Sequence, residues 1–310
     1  MCKFNYGVVI PTYNAGEAFR QLLSLLLCVI EQERILIIDS SSIDSTVAIS
    51  HELGVNVISI PKDEFNHGST RNLGMNFFKN SADVVIYLTQ DIEIASGLDV
   101  LSLLECFSND KVGAAYGRQL PHTDANPIAS HARFFNYNRD SYIRSYEHHA
   151  EFGLKTAFIS NSFSAYRVSI FYSMGGFPSN VILAEDMCMA AKMLINGFYV
   201  AYSSLATVKH SHNYSPLDEF KRYFDIGVFH ANETWIQDNF GGVSGEGFTF
   251  VKSEINYLWS SNNKCWIPRS LLTNCMKLIG YKLGKKYRTI PRVLHSKLGM
   301  YKSYWLQNQD

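Results

Sequence analysis

Carboxylates follow or precede apolar runs at three widely separated places in the chain. One run leads into Asp39, a second is followed by Asp91, and Glu185 and Asp186 stand shortly before a third. The ligands of an α/β protein bind outside the carboxyl ends of its strands. The three acidic positions therefore predict a single cleft that holds a nucleotide, a divalent cation and a general base.

Two segments of the chain carry groups that suit a nucleotide. A carboxylate at a strand end, here Asp39, can accept the N3 hydrogen of a pyrimidine. Arg71 falls in the first turn of a helix predicted at residues 69–80, where the helix dipole opposes a cation, so we expect it to hold an anion or a base. The alternatives are that Arg71 pairs with a nearby acid such as Glu64 and that Asn72 serves only the loop backbone.

Strand and helix patterns alternate through the first half of the chain. Apolar strands are predicted at residues 8–11, 35–39, 55–60 and 84–88, with helices at 16–31, 45–53 and 69–80. This series predicts parallel strands with right-handed crossovers. The later elements are expected to be helices at 98–107, 131–148 and 185–196 and strands at 112–117 and 198–202.

Beyond residue 216 the pattern is helical, with helices expected at residues 217–236 and 271–283 and a glycine-rich loop at 241–247. We therefore divide the chain into an α/β domain, residues 1–215, and a helical, basic C-terminal region, residues 216–310. Residues 264–310 hold ten Lys and Arg against one acid, Asp310, a net charge of +9. This charge predicts an anionic membrane surface as partner. A solvated helical face is the alternative, and no nucleic-acid-binding motif accompanies the basic residues.

The bulk composition indicates a folded protein of the cytoplasm. The chain has 310 residues, ample apolar content and no formal net charge. Six scattered cysteines without paired spacing predict reduced core thiols and argue against a zinc site. No segment predicts a signal peptide or a membrane span, so we expect a cytoplasmic protein, peripheral on the inner face of the plasma membrane.

Several short motifs, taken in order, resemble those of family 2 glycosyltransferases with a GT-A fold. They are Pro11-Thr12-Tyr13-Asn14, the strand ending in Asp39, Arg71-Asn72, Thr89-Gln90-Asp91 and Glu185-Asp186. Residues 67–72, 88–91, 117–121, 210–214 and 223–230 narrow the resemblance to bacterial O-antigen rhamnosyltransferases, and within them to the type that acts on lipid-linked galactose. The similarity runs along nearly the whole chain. It implies a Rossmann-like nucleotide-diphospho-sugar transferase fold, an α/β protein with a mixed sheet and a helical C-terminal extension.

The resemblance implies a role for each matching residue. Asp186 would be the general base, with Glu185 beside it as a second catalytic carboxylate. Asp91 and His210 would hold Mg²⁺ or Mn²⁺. The residues expected at the nucleotide are Pro11, Thr12, Tyr13, Asn14, Asp39, Arg71, Asn72 and Gln90, and those expected at the acceptor are Gln119, Asn161 and His212.

The metal motif departs from the family pattern. Family members commonly carry Asp-x-Asp where this chain begins with Thr89. Either Asp91 is the second acid of that motif, or the register shifts and Glu93 becomes a ligand. We favour the first interpretation, because Leu88 then occupies the usual apolar place. A single acidic ligand predicts that the metal binds weakly or exchanges readily.

Two further assignments have competing explanations. Glu185 and Asp186 open a helix, so both can be residues that compensate the helix dipole. His210 and His212 alternate along a strand-like segment, which places them on opposite faces and keeps one of them out of the site unless the chain turns. A lone histidine is more often structural than ligating, so for His210 the structural explanation stands beside the ligand assignment.

The predicted function is inverting transfer of L-rhamnose from dTDP-β-L-rhamnose to a sugar, galactose by the resemblance, on undecaprenyl diphosphate during O-antigen biosynthesis. One rival is a family 2 transferase that uses another nucleotide sugar, such as a UDP-hexose, because Asp39 does not distinguish uracil from thymine. A second is a non-catalytic scaffold that binds sugar nucleotides. A nucleotidyltransferase would require a glycine-rich phosphate loop after the first strand, where Pro11-Thr12-Tyr13-Asn14 stands instead. A homodimer is included among the expected assemblies.

Overall fold

The structure is a computed structural model that describes residues 4–242 and 245–307. Within these ranges eight strands form one sheet: β1 (Tyr6–Thr12), β2 (Ile35–Asp39), β3 (Asn56–Ser59), β4 (Val84–Leu88), β5 (Val112–Leu120), β6 (Tyr142–Arg144), β7 (Phe163–Arg167) and β8 (Tyr199–Lys209). The strand order is β3-β2-β1-β4-β7-β5-β8-β6. Strands β3, β2, β1 and β4 run parallel, whereas β7 is antiparallel to both β4 and β5. The predicted mixed α/β sheet is confirmed.

Helices cover both faces of the sheet and make up most of the C-terminal region. They are α1 (Ala18–Leu27), α2 (Thr46–Glu52), α3 (His67–Phe77), α4 (Gly97–Leu101), α5 (Pro127–Asn136), α6 (His149–Phe152), α7 (Val168–Ser173), α8 (Glu185–Ile195), α9 (Pro216–Asn232), α10 (Thr234–Phe240), α11 (Glu246–Ser260), α12 (Ile267–Lys285), α13 (Arg292–Leu298) and α14 (Lys302–Gln307). Short 3₁₀ turns join several of them. The predicted helical C-terminal extension is confirmed.

The sheet is buried between two apolar layers. Along β1, Val8 and Ile10 belong to the layer that contains α1, whereas Val9 belongs to the layer that contains α3 and α8. Successive side chains of a strand point to opposite faces, so a strand covered on both faces is apolar at every position. This burial explains why β1, β2 and β4 were recognisable as short continuous apolar runs.

The C-terminal helices share a core with the sheet. Phe224 and Phe229 of α9 and Phe240 of α10 are buried in the same layer as Val9. Ser215 caps α9 by accepting a hydrogen bond from the backbone N–H of Asp218 at 3.2 Å. The domain boundary at residue 215 therefore falls at a helix start, and the division of the chain at this point stays a prediction.

Some sequence-based element boundaries were wrong, and tertiary pairing explains them. Residues 131–148 do not form one helix: α5 ends at Asn136 and β6 follows, because Tyr142 pairs with Tyr202 of β8. The Tyr142 hydroxyl also contacts that of Tyr116 at 2.6 Å. Strand β7 was not predicted at all. The expected helix at 217–236 divides into α9 and α10, and the one at 98–107 is helical only to Leu101 before a 3₁₀ segment.

The cysteines were expected in the core, and most are not there. Cys188 is buried and Cys106 is half-buried, whereas Cys28, Cys265 and Cys275 are exposed. Cys2 lies outside the described residues, as do Val243 and Ser244 of the predicted glycine-rich loop and Asp310 of the basic tail. Within the described ranges, the helices are too short or too polar for any of them to cross a bilayer.

Candidate active site

The first part of the site is the loop that follows β1. Thr12 pairs in register with Asp39 of β2, and its hydroxyl donates to the Asp39 carboxylate at 3.1 Å. The backbone N–H of Ser42 donates to the same carboxylate at 2.8 Å, and the Ser42 hydroxyl also bonds it. Asp39 is buried at the end of its strand. Its position and orientation are therefore fixed before any ligand arrives.

Residues after Thr12 are tied to both neighbouring strand ends. The Gln90 side-chain amide makes two hydrogen bonds to the backbone of Tyr13: its oxygen accepts from the Tyr13 N–H at 2.7 Å, and its nitrogen donates to the Tyr13 carbonyl at 3.0 Å. Asn14 adopts a left-handed backbone with φ of 47°, and its side chain accepts from the N–H of Ile43 at 2.9 Å. Asn is one of the few non-glycine residues that tolerate this conformation. Pro11, Thr12, Tyr13, Asn14 and Gln90 thus form one connected rim next to Asp39.

Arg71 occupies a different position from the one expected. Asn66 caps α3, accepting from two backbone N–H groups of its first turn, so the helix begins at His67 and Arg71 lies in the second turn. The buried Arg71 guanidinium lies 3.0 Å from the Glu185 carboxylate. Among the described residues its ion-pair partner is thus Glu185, and the alternative pairing with Glu64 is not found. A buried pair of this kind is costly to break from either side, because the remaining charge stays uncompensated.

Asn72 is engaged with the protein backbone. Its amide donates to the carbonyl of Phe177 at 2.8 Å, and its oxygen accepts from the N–H of Phe177 at 2.9 Å. The structure therefore supports the simpler explanation, in which the Asn72 side chain satisfies the backbone of a loop.

The second part of the site is a cluster of three potential metal ligands. The Nε2 atoms of His210 and His212 lie 3.4 Å and 3.7 Å from the Asp91 carboxylate, and the potential ligand atoms all lie within 4.8 Å of one another. The expectation that the two histidines face opposite ways was wrong. Strand β8 ends at Lys209, so the alternation stops before His210 and the chain turns back toward Asp91.

The protonation of this cluster suits a divalent cation. Partial burial opposes ionisation of Asp91, but the hydrogen bond and charge of His210 hold its pKa well below the usual range. Burial and the neighbouring His210 lower the pKa of His212 to about 4, so its imidazole is neutral near pH 7. Two imidazole nitrogens and one carboxylate are a donor set that Mn²⁺ and related metals accept.

A buried amide orients the first histidine. The Nδ1 of His210 lies 2.9 Å from the Gln119 side-chain oxygen, which also accepts from Arg133 at 2.7 Å. Because that oxygen can only accept, Nδ1 must donate, and Nε2 is the ring nitrogen that faces Asp91. Gln119, expected at the acceptor, is buried here behind the metal cluster. The other candidate ligand, Glu93, is exposed and pairs with His122 at 3.2 Å and Lys209 at 3.5 Å, whereas Asp91 lies in the ligand cluster with His210 and His212, which supports the register that uses Asp91.

The third part of the site is the pair of carboxylates that opens α8. Asp186 accepts from the backbone N–H of Asn161 at 3.0 Å, and the Asn161 amide donates to Glu185 at 2.9 Å. The oxygen of Asn161 accepts from the hydroxyls of Ser164 and Tyr166 at 2.7 Å and 2.8 Å. Asn161 was expected at the acceptor, but the structure buries it beneath the carboxylates, where its side-chain amide already bonds three neighbours.

The two carboxylates have opposite electrostatic environments. Burial and the neighbouring charge of Glu185 raise the pKa of Asp186 to about 7. For Glu185 burial acts in the same direction, but the opposite charge of Arg71 prevails and lowers the pKa. Pairs of acids with separated pKa values are typical of catalytic sites, where one group accepts a proton near neutral pH.

Comparison with known proteins identifies the family. The model of glycosyl transferase family 2 matches residues 7–175, which include Asp39, Asp91 and Asn161. The chain belongs to glycosyltransferase family 2. It is 49% identical over 300 residues to the O-antigen chain rhamnosyltransferase RfbN of Salmonella typhimurium, covering 96% of this chain and 95% of that protein. It is 48% identical to the O-antigen chain rhamnosyltransferase WbaN of Salmonella anatum, covering 97% and 96%.

A solved structure supports the fold of this glycosyltransferase. The mannosyltransferase PcManGT from Pyrobaculum calidifontis, solved in complex with GDP-Man and Mn²⁺, superposes with a TM-score of 0.57 at 14% identity, covering 98% of this chain and 85% of that one. The GT-A-like α/β fold expected from the motifs is confirmed. The enzyme is a glycosyltransferase with a helical C-terminal region and a cluster of acidic and histidine residues able to hold a metal.

The sequence did not reveal several polar residues that support this glycosyltransferase site. Ser164 and Tyr166 alternate with apolar residues in β7, a period-two signal that was present but short. Arg133 stands in a helix that was predicted with the wrong end. Arg222 interacts electrostatically with His212, Tyr214 and Tyr301. It was also missed, because only the packing of α9 and the C-terminal segment brings these residues together.

Proposed function

We propose that this glycosyltransferase transfers L-rhamnose from dTDP-β-L-rhamnose to galactose on undecaprenyl diphosphate, with inversion, during O-antigen biosynthesis. The observation that carries this proposal is the match to two O-antigen chain rhamnosyltransferases over nearly the whole length of both partners. The three-part site is consistent with it, since it offers a base-binding rim, a potential metal cluster and a carboxylate whose pKa lies near 7.

The donor half of the reaction is assigned to the rim and the metal cluster. Asp39 would accept the N3 hydrogen of the pyrimidine, with Thr12 and Asn14 shaping the pocket around it. Mg²⁺ or Mn²⁺ would be held by Asp91 and His210, and the position of His212 makes it a third ligand in this proposal. When bound, the cation would neutralise negative charge on the departing diphosphate.

The acceptor half is assigned to the carboxylates at α8. Asp186 would take the proton of the acceptor hydroxyl. At the same time the hydroxyl oxygen would form a bond to the anomeric carbon, and the bond from that carbon to the dTDP oxygen would break. A carboxylate with a pKa near the working pH is suited to this task. Glu185 would keep Asp186 basic through its own charge, while Arg71 holds Glu185 ionised. The earlier assignment of Arg71 to the pyrimidine would require it to leave this buried pair.

The finer partner assignments follow from the lipid acceptor and the charge of the C-terminal region. The enzyme would work as a peripheral protein on the inner face of the plasma membrane, with residues 1–215 carrying the chemistry and residues 216–310 the membrane contact. Ten Lys and Arg against one acid in residues 264–310 favour an anionic surface. A homodimer remains an alternative assembly.

The decisive experiment incubates purified enzyme with radiolabelled dTDP-rhamnose and a panel of synthetic lipid-diphosphate acceptors. We expect label transfer that depends on a divalent cation and prefers a terminal galactose. A parallel incubation with radiolabelled UDP-hexoses distinguishes the rival donor class, because a UDP-sugar transferase would transfer label from them and would leave dTDP-rhamnose unused. Donor binding without turnover on any acceptor would favour the non-catalytic scaffold.

A further inference from the structure

Helix α12 turns its large apolar side chains away from the protein. The exposed positions recur at intervals of one, three and four residues, which places them along a single face of the helix. Leu272 and Leu278 are 55% and 54% exposed. Between residues 271 and 283 this face, which we call the α12 outer face, consists of Leu271, Leu272, Cys275, Leu278, Ile279, Lys282 and Leu283.

The opposite face of the same helix is buried and consists of small or polar residues. It carries Ser270, Thr273, Lys277, Gly280 and Gly284. A Cβ atom at Gly280 or Gly284 would collide with a backbone oxygen of α9, so the glycines permit a backbone contact that no larger residue would allow. The usual arrangement, in which the apolar stripe faces the core, is inverted. The outer face is thus exposed on a helix that is firmly packed.

Cations and tryptophans flank the outer face along the chain. Trp259, at the end of α11, is 61% exposed and its ring lies 4.1 Å from the Lys264 ammonium group. Trp266 lies beside Arg269 in the same way, at the start of α12. Amphipathic rings next to basic groups are enriched at the boundary between lipid and water. Other exposed cations that follow in the described chain are Lys282, Lys286, Arg288, Arg292, Lys297 and Lys302.

The charge of the region decides between two candidate occupants of this face. A second copy related by two-fold symmetry would place the same residues opposite one another. Residues 264–309 contain no acid, so such a contact would bring two strongly basic segments together with no carboxylate of their own to balance them. An anionic bilayer accepts both the apolar side chains and the positive charge.

We propose that the α12 outer face docks on an anionic lipid bilayer, with the helix lying in the interface, its leucines among the acyl chains and its cations at the headgroups. This assignment deepens the proposed membrane association, on which it rests for its biological setting, by naming the surface that makes it. Helix α12 packs on α9, which follows the His210–His212 segment directly, so docking would place the metal cluster at a fixed orientation to the membrane.

The test measures binding of the full-length enzyme to vesicles by co-sedimentation. Vesicles of phosphatidylcholine alone are compared with vesicles that also contain phosphatidylglycerol, at low and high salt. The variant is L272S/L278S/I279S, which changes three exposed side chains of the outer face. The matched control is L98S/L205S, which changes two leucines that are 61% and 77% exposed elsewhere on the protein.

We expect binding to phosphatidylglycerol vesicles that weakens with salt, a loss of at least tenfold in the triple variant and no change in the control. Equal binding by the wild type and the triple variant would overturn the proposal. So would a wild-type dimer that ignores vesicles and becomes monomeric in the triple variant, since the face would then join two copies.

The enzymatic assay separates this proposal from the proposed function. Turnover is measured with dTDP-rhamnose and a water-soluble, short-chain galactosyl diphosphate acceptor in the absence of membranes. Turnover in the triple variant equal to that of the wild type, together with lost vesicle binding, supports docking. A wild type that binds vesicles through the outer face and never transfers rhamnose refutes the proposed function while leaving the docking surface standing.

Discussion

Replacing Asp186 with asparagine tests the assignment of the base most directly. The amide fills nearly the same volume and cannot take the proton of the acceptor hydroxyl. A general base contributes typically about 10² to 10⁴-fold to the rate, and we expect a loss of turnover in that range. Affinity for the dTDP-sugar should be unchanged, because Asp39 and the metal cluster lie on other elements. The matched Glu185→Gln variant should lose less turnover, although it also disturbs Arg71.

The same variant should change how stability depends on pH. Asp186 has a pKa raised to about 7 in the folded protein, from an ordinary value of 3.8. The folded state therefore binds this proton more tightly than the unfolded state, and the resulting stability is lost as pH rises through 7. Integrating that shift gives the wild type about 3 kcal/mol less stability from this group at about pH 8 than at about pH 5.

The amide introduced by Asp186→Asn does not titrate, so the variant lacks this dependence. One of the two backbone N–H groups that now donate to Asp186, those of Asn161 and Met187, would face the new amide N–H₂. This mismatch costs roughly 1–3 kcal/mol at every pH. We therefore expect the free energy of unfolding of the variant to lie below that of the wild type at low pH and to approach or exceed it at high pH.

Two measurements check this reasoning. Urea unfolding of both proteins at several pH values gives the difference in stability, and initial rates with saturating donor give turnover. The turnover of the wild type should rise with pH and level off above a midpoint near 7. Near-native turnover of D186N would place the base elsewhere, with Glu185 as the first candidate. A pH-independent stability difference would show that Asp186 has an ordinary pKa.

Three other substitutions test separate parts of the structure. Asp39→Ala should weaken dTDP binding, measured by calorimetry, by about 1–3 kcal/mol, the cost of leaving a buried polar partner unpaired. Unchanged affinity would show that the pyrimidine binds elsewhere. Asp91→Asn should abolish metal-dependent turnover whereas Glu93→Gln should not, and the reverse result, or full turnover in excess chelator, would refute the metal assignment. Gly284→Ala should destabilise the fold by about 1–3 kcal/mol in urea unfolding, because its Cβ would meet a carbonyl oxygen of α9. The control Gly247→Ala has open space around its Cβ and should be nearly neutral. Equal stabilities of the two variants would contradict the close contact between α12 and α9.

The sequence by itself determined the local elements and the acids that carry the chemistry. Strands covered on both faces leave continuous apolar runs, so β1, β2 and β4 could be placed from their residues alone. Because parallel strands end at one edge, the carboxylates that follow them could be expected in one cleft. Asp39 and Asp91 lie at those ends. The family resemblance added the assignment of Asp186, which no periodicity indicates.

Only the tertiary structure decided which groups meet across long separations in sequence. Arg71 was expected to hold a nucleotide and instead pairs with Glu185, because α3 and α8 approach from distant parts of the chain. His212 joins Asp91 because β8 ends one residue before His210. Strand β6 forms by pairing with β8, and nothing in its own three residues distinguishes it from a loop.

Helix α12 shows the same limit in another form. Its apolar periodicity predicted a helix correctly, and it would ordinarily predict which face is buried. The two glycines on the opposite face, and the backbone oxygens of α9 that they meet, reverse that orientation. Periodicity records which residues share a face, because it follows from local geometry. Which face meets the protein is decided by packing between segments that the local sequence does not contain.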